Sequence, residues 1–434
     1  MRWKDAELTG WGRALTAPSE VARPERASAV LSLMGDTPAP AVGASRSYGD
    51  AGLNAGGRAI LTTRLDRMVS FDEATGVLTA EGGIRLGEIA RIFAPRGWLL
   101  PVMPGTGFAT VGGAIANDVH GKNHHRVGSF AEHVTALRLA TPVGERTVEA
   151  CAPLFRATAG GLGQTGAILS ADIRMLRAKG DVIVVTERRI ADWDEFVARL
   201  DGSDATYSVG WIDATATGGQ LGRGILEEAE TGAGLVPQRK GAKTVPFDAP
   251  SSFLSPPVVR AFNAAYWRRV PASGRTVVKP IHDFFFPLDR IRDWNRLYGK
   301  AGFHQFQCVV PLAAAGLLRE MLHRIATSGL ASPLAVLKRM GPGRAGMMSF
   351  PMEGYTLAVD FPNRDGAAPL IRDLVRRTKD AGGRIYFAKD SVARAEDVAG
   401  MYPDRAAWAA EVAGVDPDGR LTTDLVRRLD LRGA

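Results

Sequence analysis

Two folded units of α+β type are what this chain predicts, on three grounds. Its 434 residues, 45% of them hydrophobic, exceed what one ordinary core takes up. Many of its 50 glycines fall between residues 43 and 166, as in a backbone that turns tightly or meets a ligand closely. After about Arg177 the texture changes to longer alternating strands.

The elements follow in order. Pro40-Ala41-Val42 and Ala59-Ile60-Leu61 read as strands around the loop GASRSYGDAGLNAGG. MVSF and VLTAE form a hairpin over 68–80 that turns at Ala74-Thr75-Gly76. Ile84, Leu86, Ile89, Ile92 and Phe93 recur at helical spacing, and that helix stops near Pro95 and Gly97. LLPVMPGT is extended, and a Gly-rich segment runs from Gly105 to Gly128. HVTALRLATPVGERTVE is a second hairpin with Val143-Gly144 near its turn, and LFRATAGGLGQTGAILSADIRML gives a glycine loop and a strand. Farther on, VIVVTER, YSVGWIDA, FHQFQCVV and YTLAVDF are strands, with helical segments among them between Asp283 and Asp360. Gly218–Lys279, rich in Gly, Pro, Lys and Arg and poor in periodicity, reads as surface loop that gates a site. The last 50 residues begin at Arg384-Ile385-Tyr386-Phe387 and end in short helices, the final one carrying Leu425, Val426, Leu429 and Leu431.

Composition narrows the function. With 23% charged residues and no repeat, the chain is not disordered. A net charge of +8 and an isoelectric point near 9.6 admit nucleic acid, an anionic membrane surface or an anionic substrate. The basic residues are scattered among acids, as in Glu187-Arg188-Arg189 before Asp192, with no basic arm and no stacking platform of aromatics; nucleic acid is therefore not an expected partner. Cys151 and Cys308 are too far apart in sequence for a disulfide framework or zinc spacing and read as reduced thiols. The N-terminus shows no apolar signal region and no run of 18 apolar residues occurs, so the expected location is the cytoplasm, with a peripheral membrane contact left open.

Three motifs carry the chemistry. In Gly43-Ala44-Ser45-Arg46-Ser47-Tyr48-Gly49-Asp50, small residues let backbone N–H groups converge on an anion, with hydroxyls from Ser45 and Ser47 and the Arg46 charge in support. By itself such a loop is more often a structural turn. In Pro104-Gly105-Thr106-Gly107 and Thr110-Val111-Gly112-Gly113-Ala114-Ile115-Ala116-Asn117-Asp118, a glycine pair interrupts an apolar run; a flat ring system lying on those peptide groups would explain it. His120-Gly121-Lys122-Asn123-His124-His125 holds three of the seven histidines, but Gly121 stands where a zinc protease helix needs Glu, so no metal is expected. Polar loop packing and ligand contact both remain for it.

In this order and spacing the motifs resemble the FAD domain of the vanillyl-alcohol-oxidase-type (PCMH-type) flavoproteins; no Gly-x-Gly-x-x-Gly opens a helix, so a Rossmann domain is not indicated. Adding Gly128-Ser129-Phe130, Trp211-Ile212-Asp213, Phe286-Pro287-Leu288-Asp289, Trp294-Asn295-Arg296, Gln305-Phe306-Gln307, Val359-Asp360-Phe361-Pro362 and Ala388-Lys389-Asp390-Ser391, nearly the whole chain resembles the decaprenylphosphoryl-ribose 2-oxidase family. That resemblance implies a two-part PCMH-type FAD-binding domain, 1–177 and 386–434, around an inserted α+β substrate (cap) domain, 178–385. It implies cofactor contacts from Gly43, Ser45, Arg46, Ser47, Tyr48 and Gly49, then from Gly105, Thr110, Val111, Gly112 and Gly113. His120, Gly121, Lys122 and Asn123 join them, as do Ala167, Ile168 and Tyr386. Related oxidases with covalent flavin often carry His where Arg46 stands, so the implied FAD is non-covalent.

The resemblance further implies catalytic places for Lys389, His120 and Gln307, and substrate contacts from Lys122, Trp211, Phe285, Gln305, Lys338, Thr356 and Ala358. A lysine there orients a hydroxyl, or accepts its proton if desolvation lowers the amine's pKa. Phe285 stands where the family has Tyr, Thr356 where it has Asn, Ala358 where it has Cys, and Arg339-Met340 where two apolar residues follow the lysine. The implied reaction oxidises the 2′-hydroxyl of a polyprenyl-phosphate-linked pentose, and a short-chain reductase partner completes an epimerisation. An aldonolactone or alditol oxidase using oxygen is the second enzyme reading, and a basic binding protein without redox chemistry the third.

Overall fold

The computed structural model describes residues 2–236 and 241–433. In the first part, strands β1 (Lys4–Thr9), β2 (Thr16–Ala22), β3 (Ala41–Val42) and β4 (Arg58–Leu61) make a four-stranded sheet in the order β1-β2-β4-β3. Helix α1 (Ala27–Asp36) packs Val30, Leu33 and Met34 into the core beside this sheet. A five-stranded sheet follows, ordered β5-β6-β10-β8-β9, from β5 (Met68–Asp72), β6 (Val77–Glu81), β8 (Val134–Thr141), β9 (Gly144–Glu149) and β10 (Ala167–Arg174). β7 (Trp98–Leu99) pairs with β11 (Leu176–Arg177). The helices here are α2 (Leu86–Phe93), α3 (Val111–Ala116), α4 (His124–Val127) and α5 (Pro153–Thr158). Leu86, Ile89, Ala90 and Phe93, at spacings of three and four, form the buried stripe of α2.

The glycine pair Gly112-Gly113 lies in α3; Thr110 caps that helix by accepting from the Gly113 N–H. The close neighbour of Gly112 is the chain itself: a Cβ there would stand 3.0 Å from the Gly82 carbonyl oxygen.

The second part holds strands β12 (Val182–Ile190), β13 (Tyr207–Ile212), β14 (Gly224–Gly232), β15 (Lys243–Thr244), β16 (Arg275–Pro280), β17 (Ile291–Arg292), β18 (Phe303–Val310), β19 (Ala335–Met340), β20 (Gly354–Pro362) and β21 (Arg384–Ile385). Eight of them form one antiparallel sheet, β16-β12-β14-β13-β19-β20-β18-β21. Helices α6 (Trp193–Asp201), α7 (Pro256–Arg268), α8 (Ile281–Phe285), α9 (Ala315–Ser328) and α10 (Ala367–Asp380) accompany it, and α6, α9 and α10 close one face into the largest core cluster. Period-two alternation then sends the other residues of each strand to the opposite face.

The reading of Gly218–Lys279 as loop is corrected here. β14 runs between β12 and β13 inside the sheet, and α7 and most of β16 also fall in that span. β14 looks polar (GILEEAETG) because its acids meet partners elsewhere: Glu227 takes Lys279 of β16, Glu228 takes Arg188 of β12, and Glu230 accepts from Thr206 just before β13. A local hydrophobic pattern cannot register such partners. Residues 237–240 of that reading lie outside the described residues.

The chain ends in α11 (Ala395–Val398), α12 (Arg405–Val415) and α13 (Asp424–Arg428), which return to the first part. Trp408 donates to the Ala157 carbonyl, Gln164 to that of Leu421, and Arg428 bridges Asp50 and Asp390. Leu429 and Leu431 lie just beyond the final helix, still buried.

Candidate active site

A cavity of about 1140 Å³ lies between the loops of the first part, the open face of the eight-stranded sheet and the returning segment 386–389. Its N-terminal wall is the loop between β3 and β4. Ser45 takes a positive φ of 52°, a conformation that turns backbone N–H groups toward a common point. The loop is pinned by main-chain bonds from Tyr48 to Ala388 O (2.8 Å) and from Trp11 to Ser47 O (2.8 Å). Gly49 permits this: a Cβ there would fall 1.9 Å from the Asp390 carbonyl oxygen. The Arg46 guanidinium sits 4.0 Å from the Trp11 ring centroid and 4.6 Å from that of Phe108. Burial lowers its pKa from the ordinary value, and its Nε has no hydrogen-bond partner.

The sheet supplies the floor. Gln305 and Gln307 from β18, Thr356, Ala358 and Asp360 from β20, Val336 and Lys338 from β19, and Val209 and Trp211 from β13 all line the cavity. Their in-between neighbours Phe306, Cys308, Leu357, Val359 and Leu337 sit in the opposite core. Cross-strand register sets Gln307 beside Ala358, and Lys338 beside Thr356.

Buried His120 stands at the centre. Its Nδ1 is 2.9 Å from Lys338 Nζ, and its Nε2 is 3.0 Å from the Gln307 amide nitrogen, which is also 3.3 Å from Thr356 Oγ1. Burial first, then the charge of Lys338, push the His120 pKa well below its usual value, so the ring is neutral. A neutral imidazole has one N–H and one lone pair. Two arrangements satisfy it. A neutral Lys338 accepts from Nδ1–H while the Gln307 amide donates to Nε2; or a charged Lys338 donates to Nδ1 and Gln307 presents its oxygen to Nε2–H. Lys338 is poised between them, since burial and then the charges of Lys122 and Lys389 bring its pKa down to about 7.

Lys389 extends its ammonium 3.5 Å from the Tyr48 ring centroid. Burial lowers its pKa, and the nearby Asp360 works the other way. Burial in turn raises the Asp360 carboxyl, which accepts from the Gln305 amide and, at 3.2 Å, from the Tyr298 hydroxyl. Toward the mouth, Lys122 Nζ donates to the Phe284 carbonyl at 2.5 Å, and its pKa falls to about 8 through burial. Beside it, buried Glu187 pairs with Arg275 (2.6 Å), Lys279 (2.8 Å) and Arg269 (3.3 Å). Trp211 donates to Pro333 O and meets Tyr266 edge-on, and Phe285 packs edge-on against Tyr207.

A family model described as an FAD binding domain matches residues 19–148. The decaprenylphosphoryl-beta-D-ribose oxidase of Mycolicibacterium smegmatis is 37% identical over 98% of this chain and 97% of its own length. The chain belongs to this oxidase family. An uncharacterized Streptomyces coelicolor protein encoded 5′ of mprA is 33% identical over 80% of the chain and all of its own length. A D-lactate dehydrogenase of Anaerostipes hadrus is 27% identical over 29% of the chain.

As a member of the oxidase family the protein is an FAD-dependent oxidoreductase. The cavity fits that cofactor: it is large for a small-molecule site, and besides Arg46 Nε the buried Asn117 Oδ1 has no partner. Among the residues anticipated from sequence, Gly43, Ser45–Gly49, Gly105, Thr110, Gly112, Gly113, His120–Lys122, Ile168, Tyr386, Lys389 and all the substrate candidates line the cavity. Three do not. Val111 turns its side chain into the core, Asn123 holds the Pro101 carbonyl, and Ala167 packs in the core beside α1. Their neighbours carry the lining while they carry the loop shape. His124 and His125 are likewise engaged, bonding Gly343 O and Ala205 O.

Sequence reasoning missed several residues. Asp360 has a signal, a lone acid in the apolar run YTLAVDFP. Buried Asp118 accepts from Ser129, Ala131, Ala345 and Ser349, tying the histidine motif to the second part; its position between Asn117 and Val119 gives no hint of those partners. Asp289 fastens the second part to the Pro104–Gly107 loop through the Thr106 hydroxyl and Gly107 N–H, both at 2.7 Å.

Proposed function

We propose that the protein oxidises the 2′-hydroxyl of a polyprenyl-phosphate-linked pentose to the ketone. The observation that carries this is a hydrogen-bonded chain at the cavity, Lys338–His120–Gln307, in which a buried loop imidazole joins a lysine and an amide of the sheet face, with Lys389 at the same cavity. The Mycolicibacterium relative, named for a decaprenylphosphoryl-ribose substrate, supports the substrate class.

When bound, FAD supplies the two-electron acceptor for a hydride leaving the carbinol carbon. Arg46 and the Ser45–Gly49 loop hold its phosphates, and Gly105, Thr110, Gly112 and Gly113 border its ring. Lys389 fixes the substrate hydroxyl and takes its proton, a task for which an amine of lowered pKa is suited. Gln307 and His120 hold the sugar's orientation, and Trp211, Phe285, Thr356 and Ala358 shape its pocket. We take 1–177 with 386–434 as the FAD-binding domain and 178–385 as the cap.

The product ketone needs a separate hydride donor to give the epimer, so a short-chain reductase is the partner we assign. No helix among the described residues is long and apolar enough to cross a membrane; we place the protein in the cytoplasm, in peripheral contact with the membrane that holds its substrate. The test is anaerobic bleaching of the flavin. A short-chain prenylphosphoryl-ribose should bleach it, and free alditols or lactones should not. Bleaching by free alditols with peroxide release in air would instead make this an alditol-type oxidase.

A further inference from the structure

Outside the catalytic cluster, the surface around the cavity mouth has an unusual make-up. Residues 241–293 are about an eighth of the chain, yet hold six of the eleven large apolar side chains exposed among the described residues. They include Phe247 (70% exposed), Val278 (64%) and Phe262 (50%), with Phe253, Val258 and Ile291. A seventh, Val184, lies directly across from Val278. The same stretch has eight Lys and Arg against four Asp, a net of +4 and half of the chain's +8.

Three of these side chains adjoin the cavity directly. Val278 and Ile291 line its mouth, and Phe262 stacks on Tyr266, which lines it too. β15 pairs with β17 beside Ile291, and the turn containing Phe253 precedes α7 directly. Exposed Lys243, Arg260, Arg268 and Arg292 are interleaved with the apolar residues and make no ion pair among the described residues. An exposed apolar patch calls for a partner. Basic residues set among aromatic and aliphatic ones fit the headgroup layer of an anionic bilayer, where the cations meet phosphate and the apolar groups reach the acyl boundary.

We propose that the cavity rim formed by α7, β15, β17 and the exposed face of β16 docks on anionic lipid bilayers, with Phe247, Phe253 and Val258 inserting and Lys243 and Arg260 contacting headgroups. The inference rests on the substrate reading, because a lipid-linked substrate must pass from the bilayer into this mouth without exposing its chain to water. None of these five side chains lines the cavity.

The experiment is co-sedimentation of the FAD-loaded full chain with vesicles of phosphatidylcholine alone or mixed with phosphatidylglycerol. Wild type should bind the mixed vesicles, less so as salt rises. Lys243→Ala/Arg260→Ala should weaken binding by roughly tenfold to thirtyfold, at about 1 kcal/mol per cation removed. Phe247→Ser/Phe253→Ser should weaken it comparably while leaving the salt dependence intact. Both variants should keep their FAD and be bleached by a short-chain substrate as wild type is. Equal binding by wild type and both variants, or no binding by wild type, overturns the proposal. So does a dimer in light scattering that both variants abolish while vesicle binding is absent, since a second copy would then cover the rim. The vesicles contain no substrate, so this result stands apart from whether the substrate reading holds.

Discussion

Replacing Lys389 by Met should nearly abolish flavin reduction while the protein keeps its FAD. The cofactor loop leans on this segment through main chain, Tyr48 N–H to Ala388 O, and the Lys389 amide bonds Tyr386 O; both survive the change. The fold loses little, because burial already opposes the lysine's charge and Asp360 keeps Gln305 and Tyr298 as donors. Met also preserves contact with the Tyr48 ring, which the lysine covers at 3.5 Å. What disappears is the group that, under the proposed mechanism, holds the hydroxyl and takes its proton. Loss of a positioned acid–base group costs on the order of 10²–10⁴ in rate, or about 3–5 kcal/mol of barrier. The assay is anaerobic stopped-flow bleaching with a short-chain prenylphosphoryl-ribose, with bound FAD counted from its absorbance. A variant that retains its FAD and bleaches within about threefold of wild type, far short of that loss, refutes the catalytic role.

Other consequences follow from the same geometry. Arg428→Ala strands two buried carboxylates, Asp50 at 2.7 Å and Asp390 at 2.9 Å, and should destabilise the protein by about 3–5 kcal/mol in chemical denaturation; a change under about 1 kcal/mol would show that the pair is solvated. Lys338, its pKa lowered to about 7, leaves the unfolded chain binding more protons between about pH 7 and 10.5, so stability attributable to it rises with pH there. Lys338→Met should remove that rise, and parallel stability–pH curves for the two proteins would contradict the burial. FAD should leave with the supernatant on acid precipitation, since Arg46 offers no linkage; a yellow pellet and a flavin-shifted protein mass would refute this. Maleimide should label exposed Cys151 and not Cys308, buried in the opposite core with its thiol pushed up to about 12; Ala358→Cys should add a second label that bound substrate blocks.

Much of the first part was legible because its signals are local. The turn residues Ala74-Thr75-Gly76 sit between β5 and β6, Val143-Gly144 leads from the β8–β9 turn into β9, and the stripe of α2 follows helical spacing. The cavity loops could be found because Gly and Ser in such numbers have few structural uses. Long-range partnership was not legible. β14 becomes an interior strand through ion pairs to strands up to 52 residues away, and α7 anchors through buried Asn263, which donates to Asp213 across 50 residues. Asp118 and Asp289 act as bolts only because the fold brings the Ala345 and Ser349 donors to one and the Thr106 loop to the other.

The departures from the family pattern can be weighed by position. Thr356 and Ala358 alternate with Asp360 on the cavity face of one strand, beside Lys338 on β19 and Gln307 on β18. Thr356 remains a polar neighbour of Gln307 through its hydroxyl at 3.3 Å, so replacing an amide there keeps a partner for that glutamine. Ala358 is smaller than the expected Cys and removes a polarisable group without opening a polar vacancy. Phe285 is enclosed by Tyr207 and Phe284, with ring centroids 5.0 Å from each, where a tyrosine hydroxyl would need its own acceptor. Among the described residues none of the three hydrogen-bonds His120 Nδ1, which meets Lys338, or the Lys389 amine, which covers the Tyr48 ring. Under the proposed mechanism these substitutions act on the shape of the cavity, while Lys389, His120 and Gln307 stand in it as the family pattern anticipates. A change of pentose or of its stereochemistry is thus compatible with the same oxidation, and substrate series should separate in KM before they separate in the rate of flavin reduction.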